Sequence, residues 1–126
     1  MTHRTKALAL VLALGLSLLA GAAQAMTVQE FLTTAARIPR NPTALLRSDT
    51  RRLIAEIRTA TTALKAEREA AVTAGRSPAY CPGDRISIGS DALLARFNAI
   101  PAARRNISVT QAMREWMIDR YPCPAR

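Results

Sequence analysis

Once the first 25 residues are set aside the chain holds no histidine, because its one histidine is His3. That excludes Ser-His and Cys-His nucleophilic sites and histidine metal centres from everything that follows. Lysine is almost as scarce: Lys65 is the sole one after residue 25, so the basic character rests on arginine. Aromatics are few, one Trp, two Tyr and two Phe, and they do not alternate with basic residues as a base-stacking platform requires. No nucleic-acid partner is expected on that ground. There is no G-x-G-x-x-G, no P-loop and no EF-hand pattern, so neither cofactor nor metal is expected. Long apolar runs are missing too, apart from one at the N-terminus.

That one run belongs to a three-part pattern. Arg4 and Lys6 precede an apolar stretch from Ala7 to Leu19, and Ala23-Gln24-Ala25 supplies an A-x-A cleavage site. This is the layout of a secretory signal. The stretch falls short of the ~18 apolar residues of a membrane span, and Gly15 and Ser17 interrupt it. Residue 26 is Met26 and not cysteine, so lipid attachment at this site is not expected. The expectation is a signal peptide over residues 1–25, a single domain over 26–126, a periplasmic or secreted location and no membrane anchor after cleavage. Without Arg4 and Lys6 the 18 basic residues fall to 16 against 9 acidic ones. The remaining charge of about +7 suits a solvated face or an acidic partner.

The two cysteines, Cys81 and Cys123, are expected to form one disulfide, since an exported domain of this size has an oxidising environment and a small core. Closing a loop of about 43 residues is worth ~4 kcal/mol in the chain-entropy picture, comparable to a small domain's net stability. A redox pair would want C-x-x-C, and a metal site would want further ligands.

Periodicity predicts helices. Thr27-Val28-Gln29-Glu30 fits a capping box before a helix running to Ile38. Pro39 stops it, and Asn41-Pro42 opens a short helical turn through Leu45 and Leu46. Ser48 or Asp49 is expected to cap the longest element, which meets no Pro or Gly until Gly75. Leu53, Ile57, Ala60 and Leu64 form its apolar stripe, which fades after Lys65, where Val72 is the only larger apolar residue. At roughly 40 Å such a helix outruns a domain whose radius of gyration is about 13 Å. Its second half should therefore project, bend or pack against another molecule, and a homodimer through this helix is one such arrangement. Ile86 and Ile88 alternate as in a strand, but a lone strand has nothing to pair with. Ser90 is expected to cap a helix carrying Leu93, Leu94, Phe97 and Ile100. Ser108-Val109-Thr110-Gln111 is a second capping box before a helix lined by Val109, Ala112, Met113, Trp116 and Met117, with Ile107 as a hydrophobic staple. The fold class is thus an all-α, single-domain helical bundle with three main helices, short helical turns and one long-loop disulfide.

Chemistry is thinly represented. Glu115 and Asp119 sit four apart and Asp84 and Asp91 flank the central segment, but each has an arginine nearby in sequence, so ion pairing is the simpler account. The Trp116, Met113 and Met117 cluster reads as core rather than as a binding groove. Asn106-Ile107-Ser108 matches a glycosylation sequon, a short and weak pattern. No catalytic residue emerges, and the chain is expected to act by binding a protein. The surfaces expected to serve are the end of the long helix, with Arg68 and Arg76, and the loop bearing Arg104 and Arg105. Arginine pairs well with carboxylates at interfaces.

The run Cys81-Pro82-Gly83, then Gly89-Ser90-Asp91-Ala92, Ile100-Pro101, a helix bearing Gln111, and the closing Tyr121-Pro122-Cys123 together resemble the pattern of the Tai-type immunity proteins. The resemblance implies a small exported helical protein that neutralises a peptidoglycan amidase effector of type VI secretion. The chain departs from the pattern in having no further cysteines and in its alanine-rich helix. In architecture alone it is also similar to the periplasmic acid-stress chaperones. These switch by protonating carboxylates, for which a chain already near +7 is oddly built.

Overall fold

The computed structural model describes residues 25–125. Of the expected signal segment, residues 1–24 lie outside that range. The described residues form an all-α bundle of four α-helices: α1 (Val28–Ala36), α2 (Ser48–Thr73), α3 (Ser90–Asn98) and α4 (Val109–Arg120). Two 3-10 turns, Pro42–Leu46 and Ala102–Arg104, sit before α2 and α4. The first helix is as long as α3 and contributes as fully to the core.

Packing begins at Met26, whose side chain is buried. Two helix starts then dock on each other. Thr27 Oγ1 accepts from the Glu30 N–H at 3.1 Å, and Ser108 Oγ accepts from that of Gln111 at 3.0 Å. These are the Ser/Thr halves of the two expected capping boxes. Gln111 turns its side chain elsewhere and accepts from Arg114 Nη1. Thr27 and Ser108 face each other in an antiparallel bridge. Across it Val28 N donates to Ile107 O, Gln29 N to Arg105 O and Val109 N to Met26 O, each at 2.9 Å. A helix start leaves its first N–H groups without intrahelical partners. Here the chain leading into each helix supplies partners for the other, which drives Val28 and Val109 fully into the core.

The core joins Phe31 of α1 to Phe97 of α3, ring edge to ring face with centroids 5.2 Å apart, and to Met113, Trp116 and Met117 of α4. Burial of the last three agrees with their reading as core. At the far end Cys81 and Cys123 are bonded, their Cα atoms 4.8 Å apart and 42 residues apart in sequence. Beside the bond Cys81 N donates to Tyr121 O at 2.8 Å, so the end of α4 is fastened to the segment preceding α3.

The long helix is unbroken over 26 residues, about 39 Å at 1.5 Å per residue. Its buried residues are Leu53, Ala60, Leu64 and Ala71. After Lys65 the stripe thins to Ala71 alone, while Val72, the larger side chain, is left exposed. This half is still tied to the domain, since Glu67 pairs with Arg114 of α4 and Arg68 lies over the Tyr80 ring. Two starts also differ by a residue from expectation. Arg47 and Gly89 occupy the cap positions of α2 and α3 and no side chain caps either, with Ser48 and Ser90 already helical. The helix ends as expected at Gly75, whose φ of +73° admits glycine readily. Arg76 N reaches Ala71 O at 2.8 Å and Gly75 N reaches Val72 O at 3.0 Å, the paired bonds of a Schellman stop. Between α2 and α3 the chain is irregular, with neither helix nor strand at Ile86 and Ile88.

Candidate functional site

Helix α1 packs against both α2 and α3, while those two make little contact with each other. The gap between them is an open groove with a cavity volume of about 1090 Å³. Buried Phe31, Met113 and Met117 line its floor. One wall is a face of α2, and the other is built from Ile86, Ile88, Leu93 and Leu94.

The α2 wall follows from spacing. Thr50, Ile54, Ile57, Thr61, Lys65 and Arg68 all line the groove, and they recur at steps of three and four, so they share one face of the helix. That face lies beside the buried stripe of Leu53, Ala60, Leu64 and Ala71. The two faces meet, since Leu53 and Leu64 also line the groove and Ile57 packs against the core, as its place in the stripe predicts, while Ile54 was left unassigned. The unclaimed apolar residues Ile54, Ile86 and Leu45 were the available signal. They are 48%, 39% and 72% exposed, and all three line this cavity. Thr50 adds a buried hydroxyl with no hydrogen-bond partner among the described residues.

Lys65 and Arg68 lie on the α2 side, Asp84 and Asp91 on the other, and Arg40, between α1 and the first 3-10 turn, adds a further cation to the lining. The Arg68 guanidinium stands over the Tyr80 ring, 5.2 Å from its centroid. Among the described residues Arg68, Asp84 and Asp91 enter no ion pair, and Lys65 has only a 3.9 Å contact with Glu69 on its own helix.

The four arginines singled out in the sequence occupy different settings. Arg68 is at the groove. Arg76 is exposed just past the helix stop. Arg104 pairs with Glu115 at 2.9 Å. Arg105 is not the free loop charge that its sequence context suggests. It is half-buried, with Nε donating to Ile100 O at 2.9 Å and Nη2 to Asn98 O at 3.0 Å. Those carbonyls belong to the end of α3, where the helix leaves acceptors unpaired and a cation is favoured.

The acidic residues of α4 are likewise engaged. Glu115 takes Arg104, and Asp119 takes Arg96 at 2.7 Å, so both partners come from outside α4 rather than from the sequence neighbours Arg114 and Arg120. Arg114 instead crosses to α2, its Nε 3.0 Å and its Nη2 2.5 Å from the two carboxylate oxygens of Glu67. These hydrogen bonds hold the Glu67 carboxyl below the usual glutamate range and raise Arg114 further. Among the described residues no three His, Cys, Asp or Glu side chains gather to hold a metal, and no helix is long and apolar enough to cross a membrane.

No protein-family model, no curated protein and no solved structure matches this chain.

Proposed function

We propose that this chain is an exported, non-enzymatic binding protein of the immunity or inhibitor type. It neutralises an envelope-acting effector, such as a peptidoglycan amidase, by holding a segment of that protein in the groove between α2 and α3. The observation that carries the reading is the gathering of exposed apolar side chains at one place. Leu45, Ile54 and Ile86 edge the same cavity and give way to charged residues at its lips. Single exposed apolar residues are ordinary, whereas a contiguous patch with a polar rim marks an interaction surface. The disulfide and the paired helix starts hold the walls in place beforehand, which lowers the ordering cost of binding. The N-terminal signal pattern supports export, and an intramolecular disulfide is compatible with an oxidising compartment.

The test is protection. Cells producing a periplasm-directed amidase effector, encoded beside this chain, are grown with the wild-type protein or with Ile54→Glu. Wild type should restore growth and form a complex with the effector. Ile54→Glu should do neither while melting at the same temperature. Absence of both complex and protection with the wild-type protein would remove the immunity reading.

A second reading, a periplasmic stress chaperone, is favoured by the same open apolar groove, which would also hold unfolded segments. Suppressed aggregation of several unrelated proteins, without one tight partner, would select it.

A further inference from the structure

We infer that the groove takes an amphipathic helix of the partner, with acidic residues along one flank of its apolar face and basic residues along the other. This deepens the reading above and rests on it. The α2 wall runs from Thr50 to Arg68 in steps of three and four, a span of about 27 Å. A ridge with that spacing is the surface against which a second helix packs lengthwise.

The chain's own helices leave the position vacant. Helix α4 covers the neighbouring face of α2, and α3 stands on the other side of the gap. A helix lying there would cover Ile54, Ile57, Ile86 and Ile88 together.

The lips then set its flanks. On the α2 side Lys65 and Arg68 face the opening, and Arg68 is braced on Tyr80. Opposite them are Asp84 and Asp91. A helix seated between them meets positive charge on one side and negative charge on the other, so opposite signs on its two flanks match both lips. Flanking charges of this kind select partners in paired helices. An anionic amphiphile matches one lip only and meets Asp84 and Asp91 at the other. Two copies mouth to mouth would pair their lips but leave both apolar floors uncovered.

The experiment uses three synthetic helical peptides of about 18 residues, long enough for the groove at 1.5 Å per residue. All carry the same leucine face. One has glutamate on one flank and lysine on the other, one has glutamate on both, and one has lysine on both. Binding to the mature protein is read by fluorescence anisotropy. The mixed peptide should bind about tenfold or more tighter than either single-sign peptide, a gap of about 1.4 kcal/mol. In Lys65→Glu, and more fully in Lys65→Glu/Arg68→Glu, preference should pass to the lysine-flanked peptide. The exposed Lys65 site keeps the test valid if the double variant folds poorly. Equal binding of all three peptides, or a variant with unchanged preference, overturns the inference. So does decanoate displacing the mixed peptide without regard to the lip charges, or dimerisation in sedimentation that Ile54→Glu abolishes. The two readings fail separately. An effector that loses Ile54→Glu yet binds Lys65→Glu and Lys65→Glu/Arg68→Glu at full affinity sinks this inference and leaves the immunity reading standing. Retained peptide selectivity with no effector complex does the reverse.

Discussion

Arg105 lies against Ile100, its Nε 2.9 Å from that residue's carbonyl oxygen. The same guanidinium also reaches Asn98 O, so one side chain closes the C-terminal end of α3. Its neighbour Arg104 makes an ion pair on the surface instead. The two arginines should therefore respond differently to charge reversal. Arg105→Glu loses the two bonds and places a negative charge beside carbonyl oxygens, at a cost of about 1–3 kcal/mol. Arg104→Glu removes an exposed pair worth about 1 kcal/mol or less. Thermal melts of the two variants check this, and equal effects would mean that Arg105 does not hold the helix end.

The pair of Glu67 with Arg114 makes part of the stability depend on pH. The hydrogen bonds from Arg114 favour the ionised carboxylate in the folded state, so the folded pKa lies below the unfolded one. The contribution is then fully present above the ordinary glutamate value of about 4.3, and it is lost as pH falls through the lowered folded value. Glu67→Gln should cost about 0.5–1 kcal/mol at neutral pH, the range for a partly exposed pair. Urea titrations of both proteins should converge as the pH falls below that range. A gap that persists undiminished in acid would assign the loss to packing instead of charge.

The disulfide joins cysteines 42 apart in sequence, a loop closure worth ~4 kcal/mol by chain entropy. Replacing both cysteines by serine should lower the melting temperature by roughly 20 °C in a domain of this size. Reduction of the wild-type protein should have a similar effect. A drop of only a few degrees would mean that the helix contacts carry the fold unaided.

What could be read from the sequence follows the range of the interactions involved. Thr27, Ser108 and Gly75 act on backbone groups within a few residues, so the helix boundaries they set were legible. The disulfide was legible because only two cysteines exist to pair. Docking of Thr27 on Ser108 was not, since it joins two helix starts far apart in the chain by backbone bonds that carry no side-chain signature. Pairing of Arg114 with Glu67 and of Arg96 with Asp119 was hidden for the same reason. Sequence proximity offered other partners, and the tertiary fold chose between them. The groove was hidden by a different ambiguity. Ala60 and Thr61 are adjacent in the chain, yet Thr61 lines the groove and Ala60 is buried away from it, and an apolar count cannot say which face a neighbour covers. Alanine adds to the difficulty, because Ala60 and Ala71 are buried although their small side chains give little hydrophobic signal.

Those two faces of α2 should answer to substitution in opposite ways. Ala60 is fully buried where α2 packs in the core, so Ala60→Leu must force added methylenes into a filled contact. Overpacking of that kind costs about 1–3 kcal/mol. Ile54 is only half-buried and stands at the groove. Ile54→Ala gives up little packing and gains helix propensity, so its stability should stay within about 0.5 kcal/mol of wild type. Urea denaturation of the two variants measures both quantities. If Ile54→Ala proved as damaging as a core truncation, at about 2–5 kcal/mol, the groove would be closed in solution and its wall would belong to the core. Near-neutrality, together with a clear loss in Ala60→Leu, would leave Ile54 as a residue whose apolar surface serves something other than this chain's own stability.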